Sequence, residues 1–139
     1  MKVISLDPGT ATGVVIAVVK PKSQSIHVID WDEVILDEGD PINSFNKLRG
    51  KVQLARPDRD TLGLIEKVVK SGHMSTDKFN QITAYNQATL ALREKDIPVV
   101  EIAPDVNKSV TETVPSDIKS KHAKDAYRLI LAHMRKEDG

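Results

Sequence analysis

Two apolar, β-branched runs near the N-terminus constrain the fold of this chain more than any other feature. Residues 2–6 and 13–19 are separated only by a segment rich in Pro, Gly and Thr, a composition typical of a tight turn. Two buried strands joined by so short a link pair antiparallel, as a hairpin. A second turn at residues 21–25 precedes an alternating stretch that begins at Ile26. We therefore predict a meander of three strands.

The rest of the chain alternates between helical and strand patterns. Apolar residues recur at helical spacing over residues 42–56, 76–94 and 119–136, and buried strands are predicted at 61–69 and 98–103. The predicted order of elements is βββαβαβα. Strands that alternate with helices favour parallel pairing, whereas the early hairpins favour antiparallel pairing. We therefore predict an α/β fold with a mixed five-stranded sheet flanked by helices.

Length, charge and composition limit the classes of protein that this chain can belong to. Its 139 residues, 40% of them hydrophobic, predict one domain spanning residues 1–139. Twenty basic and twenty acidic residues leave no net charge, so a positive field over the whole surface is excluded and only local patches remain. The absence of cysteine excludes disulfides and thiolate metal sites. No apolar run is long enough to span a membrane, so we expect a cytoplasmic protein without a membrane partner.

Three acidic residues fall where the predicted elements would bring them together. Asp7 ends the first strand, Glu66 lies within the apolar fourth strand, and Asp125 lies on the last helix, one turn after His122 on the same face. An ionised carboxylate among apolar residues is unfavourable unless a cation or a hydrogen-bond donor meets it. Each residue also has an ordinary interpretation, because Asp7 suits a simple turn and Asp125 suits a solvated helix start. Taken singly, these residues leave both interpretations open.

As an ordered set, these residues resemble a known family. Asp7 in DPGTATG, Glu66 in LIEKV, and His122 with Asp125 in HAKDAYRLILAH resemble the spaced acidic motifs of RuvC-type Holliday junction resolvases, in the ribonuclease H-like nuclease superfamily. The compact length resembles phage members more than the bacterial enzyme. The resemblance implies a ribonuclease H-like fold in which the first and fourth strands are neighbours. Asp7 and Glu66 would then face each other, and Asp125 would approach from the last helix.

The resemblance also implies an activity and a cofactor. It implies a crossover junction endodeoxyribonuclease, which cleaves branched DNA in recombination and repair by paired phosphodiester hydrolysis that leaves 5′ phosphates. Oxygen ligands of this kind suit Mg²⁺, with Mn²⁺ as a substitute, better than zinc. Two ions about 4 Å apart would act on one phosphate. Asp7, Glu66 and Asp125 would be metal ligands, and His122 either a ligand or a proton-transfer group.

The partners implied by the resemblance are branched DNA and a second copy of the chain. Symmetric cuts in a four-way junction need two active sites, so we expect a homodimer with residues 76–94, including Phe79 and Tyr85, at the interface. Residues 68–70 stand where the bacterial enzyme carries a stacking aromatic residue, so we expect relaxed choice among junctions, forks and flaps. The predicted phosphate-binding residues are basic side chains on either side of the acids: Lys67, Lys70, Lys108, Lys119 and Lys121.

Three other functions fit parts of the sequence. The string DPGTATG also resembles the first phosphate loop of actin-like and sugar kinase ATPases, but those proteins need two such domains and 139 residues supply one. A monomeric ribonuclease H-like nuclease that processes RNA would share both the fold and the acids, and this alternative remains open. A catalytically inactive DNA-binding scaffold is disfavoured because the set of acids is complete.

Overall fold

The protein consists of one sheet with helices on both of its faces. The computed structural model describes residues 1–68, 75–108, 110 and 113–138. The strands are β1 (Lys2–Asp7), β2 (Ala11–Lys20), β3 (Ser25–Ile35), β4 (Leu62–Glu66) and β5 (Val99–Ile102). The helices are α1 (Pro41–Leu54), α2 (Thr76–Arg93), α3 (Pro104–Lys108) and α4 (Lys121–Asp138).

The five strands lie in the order β3-β2-β1-β4-β5. β1 pairs antiparallel with β2, and β2 with β3, whereas β4 is parallel to both β1 and β5. The two parallel connections run through α1 and α2, which supply the long crossovers that parallel strands need. The prediction of a mixed five-stranded sheet with the first and fourth strands as neighbours is therefore confirmed.

The two faces of the sheet bury separate hydrophobic cores. On one face Val3, Val15 and Leu64 pack with α4, and on the other Ile4 and Leu6 pack with α1 and α2. Successive side chains of a strand point to opposite faces, so β1 contributes alternate residues to each core. Asp7 is four residues after Val3, so its side chain points to the same face of the sheet as Val3, the face that α4 covers.

Several predicted boundaries were wrong. The strand predicted at 61–69 ends at Glu66, because the pairing with β5 stops where Glu66 meets Ile102, the last residue of β5. The helix predicted at 119–136 begins at residue 121, because Ser120 caps it and its Oγ accepts a hydrogen bond from the backbone N–H of Ala123 at 3.1 Å. Val69 lies outside the described residues.

Other elements differ from the sequence pattern for local reasons. The helix predicted at 42–56 begins at Pro41 and ends at Leu54, and Arg56 just before Pro57 has a positive φ of 50° that no helix continues. The helix predicted at 76–94 ends at Arg93. The short helix α3 was not predicted at all, because five residues carry no periodicity. None of the described helices is both long enough and apolar enough to cross a membrane.

Candidate active site

Asp7 and Glu66 end two adjacent parallel strands at the same edge of the sheet. Leu6 of β1 pairs with Ile65 of β4, so the next residue of each strand emerges beside the other. Parallel partners point to the same face, which here is the face covered by α4. The side chains of Asp7 and Glu66 are hydrogen-bonded to each other. The turn that follows β1 therefore leaves the Asp7 carboxyl group directed at Glu66.

The third acid, Asp125, is brought to this edge by the packing of α4 on β1 and β2. The hydroxyl of Ser5 donates a hydrogen bond to the carbonyl oxygen of Ala126 at 2.6 Å, which ties α4 to β1 one residue after Asp125. The cap residue of α4, Ser120, also donates to Oε2 of Glu33 on β3, at 3.1 Å. Asp125 lies close enough to Asp7 for its charge to act on the Asp7 carboxyl group.

Burial and the crowding of acids dominate the electrostatics around Asp7. The pKa of Asp7 is raised from 3.8 to about 9; burial is the largest cause, and the hydrogen bond with Glu66 and the negative charges of Glu66 and Asp125 act in the same direction. In the metal-free protein Asp7 therefore keeps its proton at neutral pH. A bound divalent cation would remove the repulsion that holds this proton in place.

Arg128 contributes a positive charge to the site from the same helix as Asp125. Its Nη1 lies 2.7 Å from Oδ1 of Asp125, and the two side chains are 36% and 34% exposed. The sequence analysis missed Arg128, although the spacing of three residues on a helix is a signal that such a pair forms. Asp125 is thus held by a cation of the protein itself.

Asn107 of α3 is a second site residue that the sequence analysis missed. Its Nδ2 donates a hydrogen bond to Oε1 of Glu66 at 3.4 Å, and only 7% of the residue is exposed. Its Oδ1 is buried, and no described residue is hydrogen-bonded to it. No motif in the sequence could have identified Asn107, because its approach to Glu66 depends on the short helix α3.

His122, the fourth predicted site residue, lies at the start of α4 with its backbone against Gly13, the register partner of Asp7. Its side chain is half-buried. The groups that act on the pKa of Asp7 are Glu66 and Asp125, and the imidazole is not one of them. The backbone of His122 therefore lies near the end of β1 that carries Asp7, and the role of its side chain stays a prediction.

The donor set fits a hard divalent cation. In the part of the chain that the structure describes, no three His, Cys, Asp or Glu side chains are already arranged as a metal site. The groups that do converge are carboxylate and amide oxygens, which Mg²⁺ and Mn²⁺ favour. The raised pKa of Asp7 and the buried Oδ1 of Asn107 both show negative or accepting groups without a positive partner. The residues present therefore fit the predicted metal.

Three of the five predicted phosphate-binding lysines can be placed, and all three flank the acids. Lys67 directly follows Glu66, and Lys119 and Lys121 lie on either side of the cap residue of α4. All three residues are exposed. Lys70 and the side chain of Lys108 lie outside the described part of the chain.

Comparison with known proteins supports the fold. No protein-family model matches the chain, and no curated protein matches its sequence. RuvC of T. thermophilus in complex with Holliday junction substrate is similar in structure, with a TM-score of 0.74 and 16% identity, over 100% of this chain and 97% of RuvC. The fowlpox virus Holliday junction resolvase has a TM-score of 0.64 and 16% identity, over 98% of this chain and 99% of the resolvase. The chain therefore has the ribonuclease H-like fold of these proteins, over its whole length.

Proposed function

We propose that this protein is a metal-dependent endonuclease that resolves Holliday junctions and cleaves other branched DNA. The observation that carries the proposal is the convergence of Asp7, Glu66 and Asp125 at the edge where β1 and β4 end. It is supported by the full-length structural similarity to two Holliday junction resolvases. The ATPase alternative lacks support, because a phosphate loop at Asp7 would leave Glu66 and Asp125 without a role, whereas both acids act on Asp7 at one edge of the sheet.

The metal site would be formed by the three converging acids. Asp7 interacts with both Glu66 and Asp125, which supports Asp7 as the shared ligand and the other two acids as the outer ligands. Two Mg²⁺ or Mn²⁺ ions, when bound, would supply positive charge to the scissile phosphate and to the oxygens that attack and leave. His122 remains a candidate as a further ligand or as a proton-transfer group.

The chain's own residues would bind and orient the DNA. Lys67, Lys119 and Lys121 are exposed and would contact phosphates near the scissile bond, which would give affinity without sequence information. In the proposed reaction water attacks the phosphorus atom and the bond to the 3′ oxygen breaks, which leaves a 5′ phosphate and a 3′ hydroxyl. A proton leaves the attacking water, and His122 is the candidate proton acceptor if it is not a metal ligand.

We expect the protein to act as a homodimer through α1 and α2. Ile42, Phe79 and Leu90 are apolar side chains that are 70%, 61% and 54% exposed. Ile42 and Leu90 line one groove between the two helices, and a second copy would bury these surfaces. Tyr85, also predicted at the interface, is only partly exposed and packs against the core beneath α1 and α2.

The proposal is tested by cleavage of labelled substrates. The purified protein is incubated with a four-way junction, a linear duplex and a structured RNA, in Mg²⁺ or in EDTA. We expect Mg²⁺-dependent cleavage of the junction that Asp7→Asn abolishes. Asp60→Asn is the matched control, because Asp60 is an exposed acid before β4, at the opposite edge of the sheet. Equal cleavage by the wild type and Asp7→Asn would refute the site, and preferential cleavage of RNA would favour the RNA-processing alternative.

A further inference from the structure

We infer that Asn107 belongs to the metal site and that its Oδ1 is a ligand of the cation that Glu66 binds. The inference rests on the proposed function, because it adds a residue to the same site. Two observations support it: Asn107 is hydrogen-bonded to Glu66, and the amide oxygen of Asn107 is buried without a hydrogen-bond partner among the described residues. Asn107 is neutral and comes from α3, so it is chemically and structurally distinct from the three acids.

The buried oxygen of Asn107 needs an explanation. Nearly all buried polar atoms in proteins have a hydrogen-bond partner, and leaving one unsatisfied costs about 1–3 kcal/mol. Only 7% of Asn107 is exposed, and no described residue is hydrogen-bonded to its Oδ1. Both heteroatoms of a carboxamide are bonded to one carbon, so this oxygen lies within a few ångströms of the carboxylate that Nδ2 contacts.

A second buried asparagine that contacts a glutamate does not have a buried amide oxygen without a partner. Asn80 of α2 is also 7% exposed, and its Nδ2 donates to Oε1 of Glu38 at 2.7 Å. Its Oδ1 is not among the buried atoms without a partner in the described part of the chain. The two asparagines therefore match in burial and in the type of acid they contact, but among the described residues only the one beside the acids has a buried amide oxygen without a hydrogen-bond partner.

A divalent cation suits this oxygen better than other partners. The neighbours of the oxygen include a carboxylate of a crowded acidic cluster, so the electrostatic field there favours a positive charge. Amide carbonyl oxygens are common ligands of hard cations, alongside carboxylates. The Nδ2 of Asn107 donates a hydrogen bond to Oε1 of Glu66, so the amide group lies against the acidic ligand. One side chain thus orients an acidic ligand and offers a further oxygen.

The backbone fixes Asn107 independently of its side chain. The N–H of Asn107 donates to the carbonyl of Ala103 at 3.2 Å, within the turn that forms α3. The N–H of Lys67 donates to the carbonyl of Ile102 at 2.8 Å, which holds the end of β4 to the strand that precedes α3. Replacement of the Asn107 side chain should therefore leave Glu66 and the fold in place.

The inference is tested by titrating the protein with Mn²⁺ in a calorimeter, without DNA. We expect Asn107→Ala to weaken Mn²⁺ binding about tenfold. Asn107→Asp retains an oxygen at this position. Its Mn²⁺ affinity should therefore be higher than that of the wild type or within a few-fold of it. The matched control Asn80→Ala should leave Mn²⁺ affinity unchanged, although it too removes a buried amide.

The same titration separates failure of this inference from failure of the proposed function. Wild-type affinity in Asn107→Ala, with weaker binding in Asp7→Asn, would refute the role of Asn107 and leave the acidic site intact. Equal Mn²⁺ binding by the wild type and Asp7→Asn would overturn the acidic site and the role of Asn107 together. If Asn107→Ala does not fold, Asn107→Leu has a similar volume without polar atoms and gives the same comparison.

Discussion

The backbone of Gly13 lies directly against the carbonyl group of His122. A methyl group built on Gly13 would overlap that carbonyl and would lie 2.8 Å from the backbone nitrogen of Ala123. Gly13 is also the register partner of Asp7 across the hairpin. The lack of a side chain at residue 13 therefore determines how closely the first turn of α4, and with it Asp125, approaches Asp7.

Gly13→Ala should weaken both the fold and the site. The added methyl group meets backbone atoms, which cannot move aside as a flexible side chain would, so the start of α4 must shift. We expect a loss of about 1–3 kcal/mol in the free energy of unfolding, and at least a tenfold loss of junction cleavage. Thermal unfolding and cleavage of a labelled junction measure the two effects.

Gly50→Ala is the control for this substitution. Gly50 lies within α1, and a methyl group added there has no atom within 4 Å. Alanine in a helix interior is favoured over glycine, so we expect a gain of about 0.5–1 kcal/mol and unchanged cleavage. A Gly13→Ala variant with the stability and activity of the wild type would contradict the proposed role of this contact.

Local patterns in the sequence were sufficient to predict most elements, but not the contacts between distant ones. The hairpin of β1 and β2 follows from two β-branched runs and a turn, whereas the neighbourhood of β1 and β4 was implied by the family resemblance. Gly13 was read as the start of a strand, because its contact with His122 joins residues far apart in the chain. Asn107 depends on a five-residue helix without periodicity, so no pattern in the sequence indicated that it meets Glu66.

The stability of the metal-free protein should depend on pH through Asp7. Between its unfolded pKa of 3.8 and its folded pKa of about 9, the folded state binds more of this proton than the unfolded state does. The contribution of Asp7 to the free energy of unfolding is therefore highest below about pH 4 and falls as the pH rises to about 9. Denaturant unfolding in EDTA at several pH values measures this slope.

Asp7→Asn should remove this dependence and stabilise the metal-free protein. Asparagine carries no charge that the buried site must accept, so we expect the variant to gain on the order of 1 kcal/mol over the wild type at pH 8. Adding Mg²⁺ should stabilise the wild type but not the variant, because only the wild type binds the ion. If the free energies of unfolding of the two proteins in EDTA changed with pH in the same way, Asp7 would not have a raised pKa in the folded protein.

Arg128→Gln should strengthen metal binding. Arg128 pairs with Asp125 and competes with a cation for the same carboxylate, and a partly exposed pair of this kind contributes about 0.2–1 kcal/mol. We expect Mn²⁺ affinity to rise by up to about fivefold in a titration without DNA. Arg49→Gln is the matched control, because Arg49 pairs with Glu94 at the same 2.7 Å between α1 and the end of α2. Weaker Mn²⁺ binding by Arg128→Gln would show instead that Arg128 holds Asp125 in the orientation that binds metal.

Leu90→Asp should convert the proposed dimer into monomers. Leu90 is 54% exposed in the groove between α1 and α2, where a second copy would bury it, and a carboxylate there would have to be desolvated on association. Leu54→Asp provides the comparison, because Leu54 is 75% exposed but lies at the far end of α1 and outside this groove. Sedimentation velocity over a range of concentrations should therefore show monomers for Leu90→Asp and dimers for both Leu54→Asp and the wild type.

A dimer, unlike a monomer, should make both cuts in one junction during a single binding event. Two sites on one junction make the second cut intramolecular, so it should follow the first before the DNA dissociates. A cruciform plasmid then yields linear product directly from the wild type and from Leu54→Asp, whereas Leu90→Asp should accumulate the singly nicked circle. Because Asp7, Glu66 and Asp125 lie on the opposite face of the sheet from α1 and α2, the rate of the first cut by bound enzyme should change little. Direct linear product from a monomeric Leu90→Asp would show that paired cutting does not depend on this interface.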